Sequence, residues 1–183
     1  MAQAESKMLP LGTPAPWFSL PDLDGKPWSL EQAAGAPGLL VMFICNHCPF
    51  VIHVREQIVA VAGEAMARGV AVVAINANDP AQQPRDSREE MRLDAERFAY
   101  PFPYLVDEDQ MTAKAFRAAC TPEFYLFDGA RELVYRGRLD GAQPGNDVPV
   151  SGEELRRALD SLLGGEGVVP DQRPSIGCSI KWR

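Results

Sequence analysis

Two short runs, the unbroken apolar residues 39–44 (LLVMFI) and residues 70–76 (VAVVAIN), apolar up to Asn76, constrain this chain more than any other feature. Each is too short to be a buried helix and too uniformly apolar for a strand with one wet face, so each suits a strand covered on both faces. Between them Phe50, Val54, Ile58, Val61 and Ala65 recur at helical spacing, and Gly69 stands where that helix would end. Strand, helix and strand in that order make a crossover between parallel neighbours, which is nearly always right-handed.

The rest of the chain extends this unit. Residues 17–30 (WFSLPDLDGKPWSL) alternate around Asp24-Gly25, a hairpin signal. Ser87 and Glu90 form a capping-box pattern ahead of a helix with Met91, Ala95 and Phe98 on one face. Residues 104–106 read as a short strand and 112–119 as a short helix. Residues 123–127 and 133–138 flank Asp128-Gly129, a second hairpin signal. Ser151 and Glu154 repeat the capping box before a helix carrying Leu155, Leu159 and Leu162 on one side. Alternating strands and helices closed by a hairpin and a last helix specify an α/β sandwich. With 183 residues, 46% of them hydrophobic, the expected organisation is a single domain over 1–163 and an irregular tail, 164–183, packed on it.

A formal charge of −7 argues against an electrostatic grip on nucleic acid or an anionic membrane surface. The opening MAQAESKMLPLGTPAP lacks an apolar stretch behind a basic segment, and no run approaches the ~18 apolar residues of a membrane span. The expectation is a cytoplasmic protein. In a reducing compartment, two of only four cysteines placed close together point to catalysis or metal binding rather than to a structural staple.

That pair is Cys45-Asn46-His47-Cys48, followed by Pro49, at the hinge between the first apolar run and the helix. The carboxyl end of a central strand is where an open α/β sheet places its ligand site. Unpaired N–H groups at a helix start favour an anion, and a thiolate is one. An effect of ~0.3–1 kcal/mol that reaches about 2 in partly buried sites, at ~1.4 kcal/mol per pKa unit, would bring Cys45 from roughly 8.5 to about 7.5. His47, when protonated, would add to that stabilisation. Stabilising the thiolate also makes the paired disulfide a stronger oxidant, by about 30 mV for ~1.4 kcal/mol. Pro49 suits a first helical turn, where its missing N–H costs nothing. The same residues also admit blander readings: cysteines that simply pack, and a His47 or His53 that faces solvent without a role.

With the strand, the Cys pair and the helix in place, the chain resembles the thioredoxin superfamily, and within it the peroxiredoxin-like branch of the alkyl-hydroperoxide-reductase and thiol-specific-antioxidant (redoxin) group. The likeness runs through INANDP (75–80), YPFPYLVDE (100–108), CTPEFYLFD (120–128), YRGRLD (135–140) and PSIGCSIKW (174–182). It implies a thioredoxin-like fold, with a central mixed sheet flanked by helices, an N-terminal β-hairpin extension and the irregular C-terminal tail. It also implies that Thr121-Pro122 is a cis-proline turn set against the Cys pair, offering backbone groups to a bound thiol or peptide. Cys120 would then lie near Cys45 and Cys48, unless it is a buried core cysteine. Cys178 in the tail could return a thiol to the site, pair with Cys120, or be a surface cysteine without a role. True peroxiredoxins place their peroxide-reducing cysteine at the position of Cys48, with Thr and Pro where this chain has Cys45 and Val41.

The function expected from these residues is thiol-disulfide oxidoreduction without a cofactor: Cys45 attacks a substrate disulfide and Cys48 resolves the mixed disulfide. The alternatives are a thiol peroxidase, whose cysteine passes through a sulfenic acid, and a copper(I) or zinc site built from Cys45, Cys48 and one of His47, His53 or Cys178. Partners would be a protein or small-molecule thiol or disulfide and an external thiol reductant, with the chain a monomer or homodimer.

Overall fold

The structure, a computed structural model, describes residues 2–183. Its centre is a five-stranded sheet ordered β6-β5-β4-β8-β9. β4 (Gly38–Phe43), β5 (Ala71–Asn76) and β6 (Tyr104–Val106) run parallel, while β8 (Glu123–Asp128) and β9 (Leu133–Gly137) complete the sheet antiparallel. Every residue of β4 is buried, because this strand has a neighbour on each edge and a layer on each face.

Alternation along β4 builds both layers. Leu40 and Met42 face one core with α1 (Pro49–Ala67), α2 (Arg88–Arg97) and α4 (Glu153–Gly164), through Val54, Ile58, Val61, Met91, Leu155 and Leu159. Leu39, Val41 and Phe43 face the other, with α3 (Met111–Ala115), Phe116 and the N-terminal Phe18 and Leu20. Phe116 sits at the centre of that second core, its ring edge-on to those of Phe43, Tyr125 and Phe127.

The expected N-terminal hairpin is present as β2 (Ser19–Pro21) and β3 (Pro27–Ser29), and Asp22 ties its turn by accepting from the N–H groups of Asp24 and Lys26. Ser87 caps α2 as its pattern predicts, accepting from Glu90 N–H at 3.3 Å. The second capping box does not form. Asp140 accepts from the N–H groups of Ser151 and Gly152, the chain turns into α4 at a left-handed Gly152, and Glu154 pairs with Arg138 instead. The Ser151 hydroxyl accepts instead from Glu153 N–H at 3.3 Å, and Asp140 takes the Ser151 N–H that a capping box would give to Glu154. The short helix expected over 112–119 shrinks to α3, and the chain continues into β7 (Cys120–Thr121).

The tail holds a regular element where an irregular one was expected. β10 (Ile176–Ser179) lies between β1 (Gln3–Glu5) and β7 in a second, antiparallel three-stranded sheet. Four residues with one glycine carry little strand signal; pairing on both edges supplies what propensity does not. Among the described residues no helix is long and apolar enough to cross a membrane.

Candidate active site

β4 ends at Phe43, and Cys45 follows two residues later at the carboxyl edge of the sheet. Cys48 is the N-cap of α1 and Pro49 its first residue. The Thr121-Pro122 peptide bond is cis, and it lies against both sulfurs: Thr121 Oγ1 is 3.1 Å from Cys45 Sγ, and the Cys48 thiol reaches the Thr121 carbonyl at 3.2 Å. The structure thus brings together Cys45, Cys48, Thr121 and Pro122, whose contacts span 73 and 76 positions of sequence.

The acidic sulfur is Cys48, where the helix-start argument had placed it at Cys45. Hydrogen bonding from the Cys45 thiol is the largest cause of a shift down to about 5; burial opposes it, while the Cys178 thiol and the N–H groups of Val51 and Cys178 add to it. Val51 N–H does not close a full capping bond with the sulfur, yet it is aimed at it. Cys45 moves the other way. Burial pushes its thiol well up, helped by its role as donor to Cys48 and by the charge of Asp86, against a smaller lowering by Thr121. Position adds to the difference: Cys45 stands three residues before the N-cap that Cys48 occupies, away from the free N–H groups of the first helical turn. Neither sulfur is on the surface, with relative exposures of 1% for Cys45 and 0% for Cys48.

His47 is buried rather than solvent-facing, and its partner is one the sequence did not announce. Nδ1 lies 2.6 Å from Asp86 Oδ2, in the single 3-10 turn Pro84–Asp86 that precedes α2. Asp86 also accepts from Asn46 N–H and from Asn78 Nδ2, each at 2.8 Å. Burial pushes its carboxyl up, but the bonds from His47, Asn46 and Asn78 outweigh that and hold it below the usual carboxylate range. An ionised carboxylate can only accept, so Nδ1 carries the proton. His47 Nε2 is left buried without a hydrogen-bond partner among the described residues. Arg55 braces this arrangement from α1, donating to the Asn46 carbonyl, pairing with Asp94 at 3.0 Å and stacking over Phe98.

Cys45, His47 and Asp86 each offer one donor atom within 4.8 Å of the others, a set that could hold a metal ion. Asp86 is already engaged by three donors and holds His47 Nδ1, which leaves Cys45 Sγ and His47 Nε2 as the free donors. Two donors fall short of the four that a structural zinc site takes. The metal set expected from sequence also loses His53, which is exposed on α1.

The other two cysteines separate. Cys120 is buried, and its thiol faces Glu123 Oε2 at 4.0 Å and the Ser175 carbonyl at 3.8 Å. Burial, then the Glu123 charge, push it far up and make it inert at neutral pH. Cys178 is buried on β10 directly opposite Thr121, in the same core as Cys45 and Cys48.

Several solved structures share this arrangement of elements. An uncharacterized conserved protein from Geobacillus kaustophilus is 53% identical, with a TM-score of 0.97 over 100% of this chain and 97% of its own. A hypothetical protein from Sinorhizobium meliloti is 46% identical, with a TM-score of 0.96 over 98% of each chain. A thiol:disulfide interchange protein of the thioredoxin family from Chlorobium tepidum shares the fold at 21% identity, with a TM-score of 0.65 over 84% of this chain and 97% of that one. Curated proteins gave no match. Residues 11–136 match the AhpC/TSA family, a span that runs from before β2 into β9 and takes in the whole Cys45–Cys48 segment. This chain belongs to the AhpC/TSA family, and it is an oxidoreductase-type protein of thioredoxin-like fold.

Proposed function

We propose that the chain is a thiol-disulfide oxidoreductase whose working pair is Cys48 and Cys45. The observation that carries this reading is the placement of two sulfurs against one turn: Cys48 at the N-cap of α1 and Cys45 three residues before it, both in contact with Thr121 of the cis Thr121-Pro122 bond. Cys48 attacks one sulfur of a substrate disulfide and releases the other as a thiolate. Cys45 then gives up its proton and attacks Cys48 Sγ, expelling the second substrate thiolate and leaving a Cys45–Cys48 bridge. Substrate gains two electrons and the pair loses two. An external thiol returns the pair to the reduced form, and the reverse cycle oxidises a dithiol.

The second step needs a proton acceptor, because burial keeps Cys45 protonated. His47 lies beside it, with Nδ1–H fixed on Asp86 and Nε2 unpartnered. Asp86 orients the imidazole, and Cys45 Sγ has to close on Nε2 for the proton to pass. Thr121 Oγ–H steadies the Cys45 thiolate as it forms.

The test is single-turnover reduction of glutathione disulfide by the reduced protein. Cys48→Ser should abolish it, and Cys45→Ser should release the first equivalent of glutathione with normal speed. Full rate in Cys48→Ser would overturn the assignment.

The acidity of Cys48 also favours a second reading, a thiol peroxidase, since this is the position of the peroxide-reducing cysteine in the sequences the chain resembles. Against it stand Cys45 and Val41, where such a site has a hydroxyl and a proline. Hydrogen peroxide consumption no faster than that of free thiol, beside rapid disulfide exchange, selects the first reading.

A further inference from the structure

Cys178 approaches the same sulfur as Cys45 does. The three cysteines share one buried cluster, and the Cys178 thiol and N–H both contribute to the lowering of Cys48. The approach is set by backbone pairing rather than by a floppy tail: Cys178 is opposite Thr121 and Ser179 opposite Cys120 in the β10–β7 ladder. Paired residues in an antiparallel ladder project to the same face and their neighbours to the other. Cys178 therefore shares the face of the Thr121 side chain, which lies against Cys45 Sγ in the buried cluster that also holds Cys48, whereas Cys120 projects away with Ser179. A Cys120–Cys178 bridge is excluded by this register. Gly177 makes the close approach possible, because a Cβ there would land on the Thr121 carbonyl oxygen. β10 also packs directly against α1, whose N-cap is Cys48.

We infer that Cys178 is a third redox-active thiol of the site, which competes with Cys45 for Cys48 and forms a Cys48–Cys178 disulfide. The inference rests on the thiol-disulfide reading above and adds a second resolving route to it. From a mixed disulfide between Cys48 and a substrate, Cys178 loses its proton, its sulfur bonds to Cys48 Sγ, and the bond from Cys48 to the substrate sulfur breaks. The substrate leaves as a thiolate and takes up a proton. Over the whole turnover the substrate disulfide gains two electrons, and Cys48 and Cys178 lose two. From a Cys45–Cys48 bridge the same attack expels Cys45, which is reprotonated; one disulfide replaces another and no electrons are gained or lost.

The two routes leave different structures behind. A Cys45–Cys48 bridge joins the two ends of one short loop. A Cys48–Cys178 bridge ties the start of α1 to the tail strand and leaves Cys45 as a free thiol beside His47. While Cys48 is a thiolate, its demand for a donor keeps the Cys178 thiol protonated, with burial first and this bond second pushing it up to about 12. Once Cys48 is spent in a mixed disulfide, that demand ends and Cys178 becomes easier to deprotonate. Its activation is thus coupled to the state in which it is needed.

The test uses glutathione disulfide and mass spectrometry of the intact chain and its peptides. In Cys45→Ser, the glutathione adduct on Cys48 should be transient and give way to a Cys48–Cys178 bridge. In Cys45→Ser with Cys178→Ser, the adduct should persist about a hundredfold longer, since the resolving thiol is no longer held in place. Equal persistence in the two variants, with the Cys45–Cys48 bridge still forming in the unmodified chain, overturns the role of Cys178 and leaves the working pair intact. Failure of the unmodified chain to form any adduct or bridge overturns both. Should Cys45→Ser not fold, the unmodified chain is quenched under limiting glutathione disulfide. A Cys48–Cys178 peptide beside the Cys45–Cys48 peptide supports the inference, and its absence overturns it.

Discussion

Removing the Cys45 thiol as a donor tests the electrostatics of the site most directly, because that donor is the largest cause of the low Cys48 value of about 5. A hydrogen bond to a charged group is worth about 1.5–3 kcal/mol. At ~1.36 kcal/mol per pKa unit, Cys45→Ala should raise Cys48 by roughly one to two units. The midpoint should still fall short of a free thiol, since Cys178 and the N–H groups of Val51 and Cys178 remain. Cys45→Ser is the informative partner variant: it equally lacks the second sulfur but keeps an O–H that donates, so its midpoint should stay within about half a unit of the unmodified chain. The assay is the ultraviolet absorbance of the thiolate in reduced protein as pH is varied, which needs no reagent to reach a buried sulfur. Cys48→Ser identifies the transition by its disappearance. Equal shifts in the alanine and serine variants would refute the claim that a donated hydrogen bond sets this acidity. So would a midpoint in the ordinary thiol range before any substitution.

The same shifts give the reduced chain a characteristic pH profile. Cys48 is depressed in the folded state, so its contribution is full above the unfolded thiol value of about 8.5 and is lost as pH falls towards 5; between pH 5 and 7 it changes by on the order of 2 kcal/mol. Cys45, Cys120 and Cys178 are raised, so above that unfolded value the unfolded chain sheds protons that the folded chain keeps, and stability declines with further rise in pH. Urea unfolding of the reduced chain and of Cys48→Ser across this range should differ by the rising limb, and parallel curves would contradict it. Asp86→Asn leaves His47 Nδ1–H buried without its charged partner and should cost roughly 3 kcal/mol in urea unfolding at neutral pH, with a slowed second release of glutathione. Gly177→Ala should cost about 1–3 kcal/mol by driving β10 off Thr121, and it should raise the Cys48 midpoint as Cys178 withdraws; a stability loss with no change in the midpoint would mean that β10 does not position Cys178.

What could be read from the sequence was whatever neighbouring residues specify. The uniform apolar runs of β4 and β5 with a helical period between them fix two parallel strands and the crossover, and so fix where Cys45 and Cys48 must stand. Which of the two is acidified is a finer matter. It turns on which of the two thiols donates to the other, and on a third cysteine that is 130 positions away and reaches the site only because β10 is paired between β1 and β7. The segment PRDSREE announces a helix start at Ser87 but says nothing of what the carboxylate just ahead of it faces. Asp86 acquires its role from His47, 39 residues away, through the packing of its turn against the hinge. The failed capping box at Ser151 has the same origin: the local pattern names Glu154, but Arg138 draws Glu154 away and Asp140, 11 residues away, takes the Ser151 N–H. Charged groups are the ones misplaced in each case, because a buried carboxylate or thiolate is stabilised by whichever donors the fold delivers, and tertiary pairing delivers donors that no short window contains. The apolar framework is specified by periodicity within one element, whereas the chemistry of Cys48 is specified by contacts among three: α1, the cis-proline turn after β7, and β10.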